Sequence, residues 1–107
     1  MEWTHYVSCF FGGAFLVNTI PHLVSGVTGH AFQTPFAKPP GKGLSSSIVN
    51  VLWGAFNLAV SYVLLCRVSS FDIHDTCDVA IAFMGGLLIS LHLAYHFGQF
   101  HGGRTPR

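Results

Sequence analysis

Charge is what this chain has least of. Only 8% of its 107 residues are Asp, Glu, Lys or Arg, against about a quarter in ordinary soluble domains. A formal net charge of +1 leaves no basic face to neutralise phosphates, so no nucleic-acid partner is expected. Carboxylates are confined to Glu2, Asp72, Asp75 and Asp78. None falls within the long apolar runs. That removes the acid from a carboxylate-bridged di-iron site, from a carboxylate proton relay, and from any serine triad built on a core histidine. Basic residues are missing from the start as well, where Glu2 is the sole charge before Lys38. A cleaved signal peptide, which needs a basic n-region, is therefore not expected. Cysteine is limited to Cys9, Cys66 and Cys77. The number is odd, so one thiol stays free or links two subunits. Cys66 with Cys77, or either with Cys9, are the pairings an oxidising compartment would allow, and spacing alone does not choose.

What is present is apolar. Half of the chain is hydrophobic and its mean hydropathy is +0.51, too little polar surface for a water-soluble globule to cover itself. Three runs without a charged residue, Val7–Val27, Ile48–Cys66 and Val79–Phe97, are each close to the roughly 20 residues that cross a hydrocarbon core about 30 Å thick. Backbone amides in hydrocarbon must be satisfied within the segment, so each run is expected to be a helix. The expected fold is all-α: one membrane domain, residues 1–107, with spans at about 7–27, 47–66 and 77–97. A connector, 28–46, and an outer loop, 67–76, join them. Lys38, Lys42, Arg104 and Arg107 fall on one side and Arg67 alone on the other. The positive-inside rule then places the N-terminus outside and the C-terminus inside, in a multi-pass protein of the cell (inner) membrane.

The connector is the main interruption. Between Gly26 and Ser47 it holds Pro35, Pro39 and Pro40, which exclude a regular helix, and Gly41 and Gly43, which allow a reversal. Ser45, Ser46 and Ser47 then offer N-cap oxygens to the second helix. Lys38 and Lys42 are expected to meet anionic lipid headgroups, with Phe32 and Phe36 dipping into the interface. The GKG at 41–43 does not match a phosphate-binding loop, because neither Ser nor Thr follows the lysine.

Polar residues recur at helical spacing within each span. Pro21 is expected to kink the first helix, freeing the Val17 carbonyl near Asn18. Ser8, Gly12, Asn18, His22 and Ser25 mark its polar side. The second helix carries Asn50, Gly54, Asn57 and Ser61 on one stripe, opposite Val51, Leu52, Leu58 and Val63. The third places Gly85, Ile89, His92, His96 and Gln99 on one face, ahead of a glycine-rich tail, containing Pro106, that is expected to fray. An amide or imidazole facing lipid would lack partners, so the stripes are expected to face each other as an Asn/His core of Asn18, His22, Asn50, Asn57, His92 and His96.

Three functions fit that core. The leading expectation is a non-enzymatic small membrane protein, an oligomeric or accessory component in which the core is structural. A homo-oligomer or a membrane partner is expected, because Gly12–Gly13 and Gly85–Gly86 permit close backbone approach. The second reading is a redox protein holding a transition metal or haem on His22, His92 and His96. The third is a channel or transporter for a small solute or protons, lined by the same groups. At the outer side Glu2, His5, Asp72, His74, Asp75 and Asp78 offer oxygen and imidazole ligands. Helix capping by Asp75 and Asp78 is the expected use of that cluster.

Overall fold

The computed structural model describes residues 2–104, so Pro106 and Arg107 lie outside it. Three helices carry the chain: α1 (Glu2–Val27), α2 (Ser47–Tyr62) and α3 (Thr76–His101). The fold is a mostly helical three-helix bundle. At about 1.5 Å per residue, the 26 residues of α1 and of α3 each span about 39 Å, beyond the roughly 30 Å hydrocarbon thickness.

Each helix has a local reason for its ends. Helix α1 begins at Glu2 rather than at Val7, with a carboxylate in its first turn where the dipole is positive. It runs unbroken through Pro21 to Val27. The Ser46 side chain caps α2 by accepting the Val49 N–H at 3.2 Å. Past Tyr62 that helix widens into a π-helical stretch, Val63–Val68. Widening loosens the carbonyl ladder, and hydroxyls fill it: Ser69 Oγ donates to the Leu64 and Leu65 carbonyls at 2.8 and 3.0 Å. Asp75 caps α3 by accepting the Cys77 and Asp78 N–H groups. As far as Arg104 the tail turns back onto α3. Gly102 closes α3, and the Arg104 guanidinium then donates to the Tyr95 carbonyl at 2.9 and 3.2 Å and sits 3.8 Å over the Tyr95 ring.

Burial runs opposite to that of a soluble domain. Among the described residues the one buried hydrophobic side chain is Cys9, while Ser8, Thr19, His22, Asn50, Asn57, Ser61 and Asp78 are all buried. Large apolar side chains such as Ile20, Leu52, Phe83 and Leu91 point outward. A surface of that kind is stable in lipid and costly in water.

The helices are not symmetrically packed. Helix α1 packs along both α2 and α3, which scarcely meet each other. The α1–α3 seam is set by glycine. A Cβ added at Gly13 would overlap the Ala82 carbonyl, and one at Gly85 would overlap the Phe10 carbonyl. The glycines that promised association between chains are thus used inside one chain. The α2 stripe of Asn50, Gly54, Asn57 and Ser61 is buried as its spacing predicts, but it meets α1 only. On α3 the stripe divides: Gly85 is buried against α1, whereas His92 is exposed.

The connector departs from a purely all-α fold. Residues Phe32–Gln33 (β1) and Leu44–Ser45 (β2) pair antiparallel, Phe32 opposite Ser45 and Gln33 opposite Leu44. The loop between them is drawn in by the Thr34 carbonyl, which accepts the Gly41 N–H at 2.9 Å. This hairpin folds back over the bundle, bridging the ends of α2 and α3 that lie apart.

Candidate functional site

Two side-chain pairs, Asn18 with Asn57 and His22 with Asn50, join α1 to α2. Asn18 Nδ2 donates to Asn57 Oδ1 at 2.9 Å, and Asn57 Nδ2 donates to the Trp53 carbonyl at 2.8 Å. Nearer the hairpin, two turns along α2 from Asn57, Asn50 is the hub. Its Nδ2 faces the carbonyls of Phe32, Ser45 and Ser46 at 3.2, 3.2 and 3.0 Å. That side of the amide can only be the donor. Oδ1 therefore accepts from His22 Nδ1 at 2.9 Å, so Nδ1 carries the hydrogen and the neutral ring keeps its lone pair on Nε2. A single asparagine thus ties α2 to α1 and to both strands of the hairpin.

Around this hub the hairpin is locked by rings and by α3. Phe32 stands edge-on to His22 and Phe97 and stacks on His101, with centroids 5.0 Å apart and planes 6° from parallel. His101 Nε2 donates to Gln33 Oε1 at 3.0 Å. His96 Nε2 donates to the Gly41 carbonyl at 2.6 Å. Gly41 has φ of +74°, a conformation natural only to glycine, and that conformation accompanies the carbonyl that reaches His96. Phe32 fills the space among the helix ends, against His22, Phe97 and His101. Phe36 stays exposed, edge-on to Trp53 at 5.0 Å. Lys38 and Lys42 are exposed on the connecting loop.

Because α2 and α3 stand apart, a cleft of about 310 Å³ remains between them. Asn18 and His22 of α1 line it, with Trp53 of α2, His96 of α3, and Gln33 and Thr34 of the hairpin. His92 is not part of it. That residue is exposed, and lines a separate groove with Phe11, Phe15 and Asn18. The ring centroids of His92 and His96 lie 6.2 Å apart. His22, His92 and His96 do not bring ring nitrogens to one point. Among the described residues, the one group of metal-ligating atoms within 4.8 Å of each other is His5, Cys9 and Asp78, at the opposite end of α1. Cys66 and Cys77 are exposed free thiols and Cys9 is a buried one.

Asn18, His22, Asn50 and Asn57 were legible from spacing, and the structure unites them in two bonded pairs. Gln33, Thr34 and His101 were not singled out, and Gly41 was marked only as a reversal point, although all four build the roof. Their role depends on where the connector folds, and no helical period marks that in the sequence. Polar inside, apolar outside, with three helices each long and apolar enough to cross a membrane, the chain has the build of a membrane-spanning bundle. No protein-family model, curated protein or solved structure matches it.

Proposed function

We propose that this chain is a small multi-pass protein of the cell (inner) membrane that works without catalysis, as an oligomeric or accessory component of a membrane assembly. The observation that carries the reading is the closure of the buried polar network: no buried side-chain nitrogen or oxygen among the described residues lacks a hydrogen-bond partner. A core so satisfied holds a shape, and that shape presents the hairpin. The hairpin end carries Lys38, Lys42 and Arg104, while Glu2, Asp72, Asp75 and Asp78 gather at the other. Charge bias therefore supports a cytoplasmic hairpin, with N-out and C-in topology. Lys38 and Lys42 are then placed to meet anionic headgroups. A kink at Pro21 is part of the same reading, since the ring removes one N–H from the ladder just before His22.

Cross-linking in native membranes, followed by purification in mild detergent, tests this. The expected result is a stable complex of fixed stoichiometry, with itself or with another membrane protein. A strictly monomeric, unaccompanied chain would sink it. In that case the cleft beside His22 and His96 becomes the leading feature, and proteoliposome flux that changes in His96→Ala would identify a solute or proton path.

A further inference from the structure

The end of the bundle away from the hairpin holds a group of side chains that the reading above does not use. His5 and Cys9 lie one turn apart on α1, so both point the same way. Asp78, in the first turn of α3, faces them. His5 Nε2 is 2.7 Å from Asp78 Oδ1 and 3.8 Å from Cys9 Sγ. Cys9 is 0% exposed and Asp78 3%. We infer that His5, Cys9 and Asp78 form a binding site for one thiophilic divalent cation of the zinc type, clamping the start of α1 to the start of α3.

Geometry, charge and support all favour this. Tetrahedral zinc has bonds of about 2.0–2.1 Å to nitrogen or oxygen and about 2.3 Å to sulfur, which sets ligand edges of about 3.4 Å for N···O and about 3.6 Å for S···N. The observed 2.7 and 3.8 Å differ from those edges by amounts that side-chain rotation absorbs. A dication with one thiolate and one carboxylate is a neutral unit, the form least costly to hold at the edge of hydrocarbon. Binding releases the Cys9 thiol proton to solvent, while His5 coordinates as the neutral imidazole. Asp78 is already oriented by a second bond, its Oδ2 accepting the Asp72 N–H at 3.0 Å. The Ser69 hydroxyl lies 3.6 Å from Cys9 Sγ but is committed to the Leu64 and Leu65 carbonyls. Three protein ligands therefore leave a fourth position for water or an external ligand, as at catalytic zinc sites. The donor set is soft sulfur, imidazole and one carboxylate, which disfavours magnesium or calcium.

The site is independent of the proposed function and is tested separately. The full chain carrying Cys66→Ser and Cys77→Ser, so that Cys9 is its sole thiol, is purified in mild detergent without a histidine tag or chelator. It is titrated with cobalt(II) under anaerobic conditions. The expected result is saturation at one ion per chain with a thiolate-to-cobalt charge-transfer band, lost on adding zinc. Adding Cys9→Ser should abolish the band. Loss of a group that only hydrogen-bonds a metal ligand already costs about 10–100-fold in affinity, so His5→Gln, which removes a ligand itself, should weaken binding by at least about 100-fold. Cobalt binding without that band, or no binding, overturns the inference. Should the further variants fail to fold, the parent still decides, because its band can arise only from Cys9.

Discussion

At the scale of single residues, the core asparagines differ in what they hold. Asn57 makes two bonds within the α1–α2 seam, to Asn18 and to the Trp53 carbonyl. Asn50 makes four contacts, three of them to carbonyls that belong to the hairpin or to the chain entering α2. Side-chain hydrogen bonds between membrane helices average about 0.6 kcal/mol, so Asn57→Ala should cost about 1 kcal/mol. Asn50→Ala strands His22 Nδ1 and removes the side-chain donor that the Phe32 and Ser45 carbonyls share, and unsatisfied buried groups cost about 1–3 kcal/mol. It should lose about 2–4 kcal/mol on that scale. Equilibrium unfolding in detergent checks the order; equal losses would mean that the hairpin is not anchored through Asn50.

At the scale of elements, the decisive contact is the glycine seam between α1 and α3. Replacing a helical glycine by alanine normally gains about 1 kcal/mol of helix propensity. At Gly85 the added methyl would meet the Phe10 backbone carbonyl, which cannot rotate away as a side chain can. Overpacking of that kind costs about 1–3 kcal/mol, so steric overlap wins over propensity. Gly85→Ala should lower the melting temperature in detergent, while Leu91→Ala on the exposed face should leave it nearly unchanged. A Gly85→Ala protein as stable as the parent would show that the seam is looser than its geometry implies. The hairpin is the other element that matters. It shares with α3 the bonds His96–Gly41 and His101–Gln33, and these take the place of direct α2–α3 packing.

For the molecule as a whole, orientation is the testable property. Lys42 is exposed on the hairpin loop, and its following residue is Gly43, so trypsin has a cleavable bond there. Lys38 precedes Pro39 and resists. With the hairpin in the cytoplasm, trypsin should cut after Lys42 in inverted vesicles and leave intact cells unaffected. The exposed thiol of Cys77, at the far end, should react with an impermeant maleimide in intact cells only. The reverse pattern for both probes would invert the topology, and with it the claim that charge bias sets the orientation.

The sequence by itself determined that the three helices are apolar and long enough to cross a membrane, and which face of α2 turns inward. Both follow from periodic hydropathy, because an amide without a partner is too costly in lipid to be placed anywhere else. It also marked Asn18, His22, Asn50 and Asn57, whose spacing alone selects one side of a helix. Tertiary structure decided the rest. His92 shares a face with His96 by count, yet α3 leans on α1 through glycines and leaves His92 outside the core. The connector's place over the bundle comes from long-range bonds to Asn50, His96 and His101, which no local pattern encodes. The meeting of His5 and Cys9 with Asp78 is likewise set by the close approach of two helices far apart in sequence.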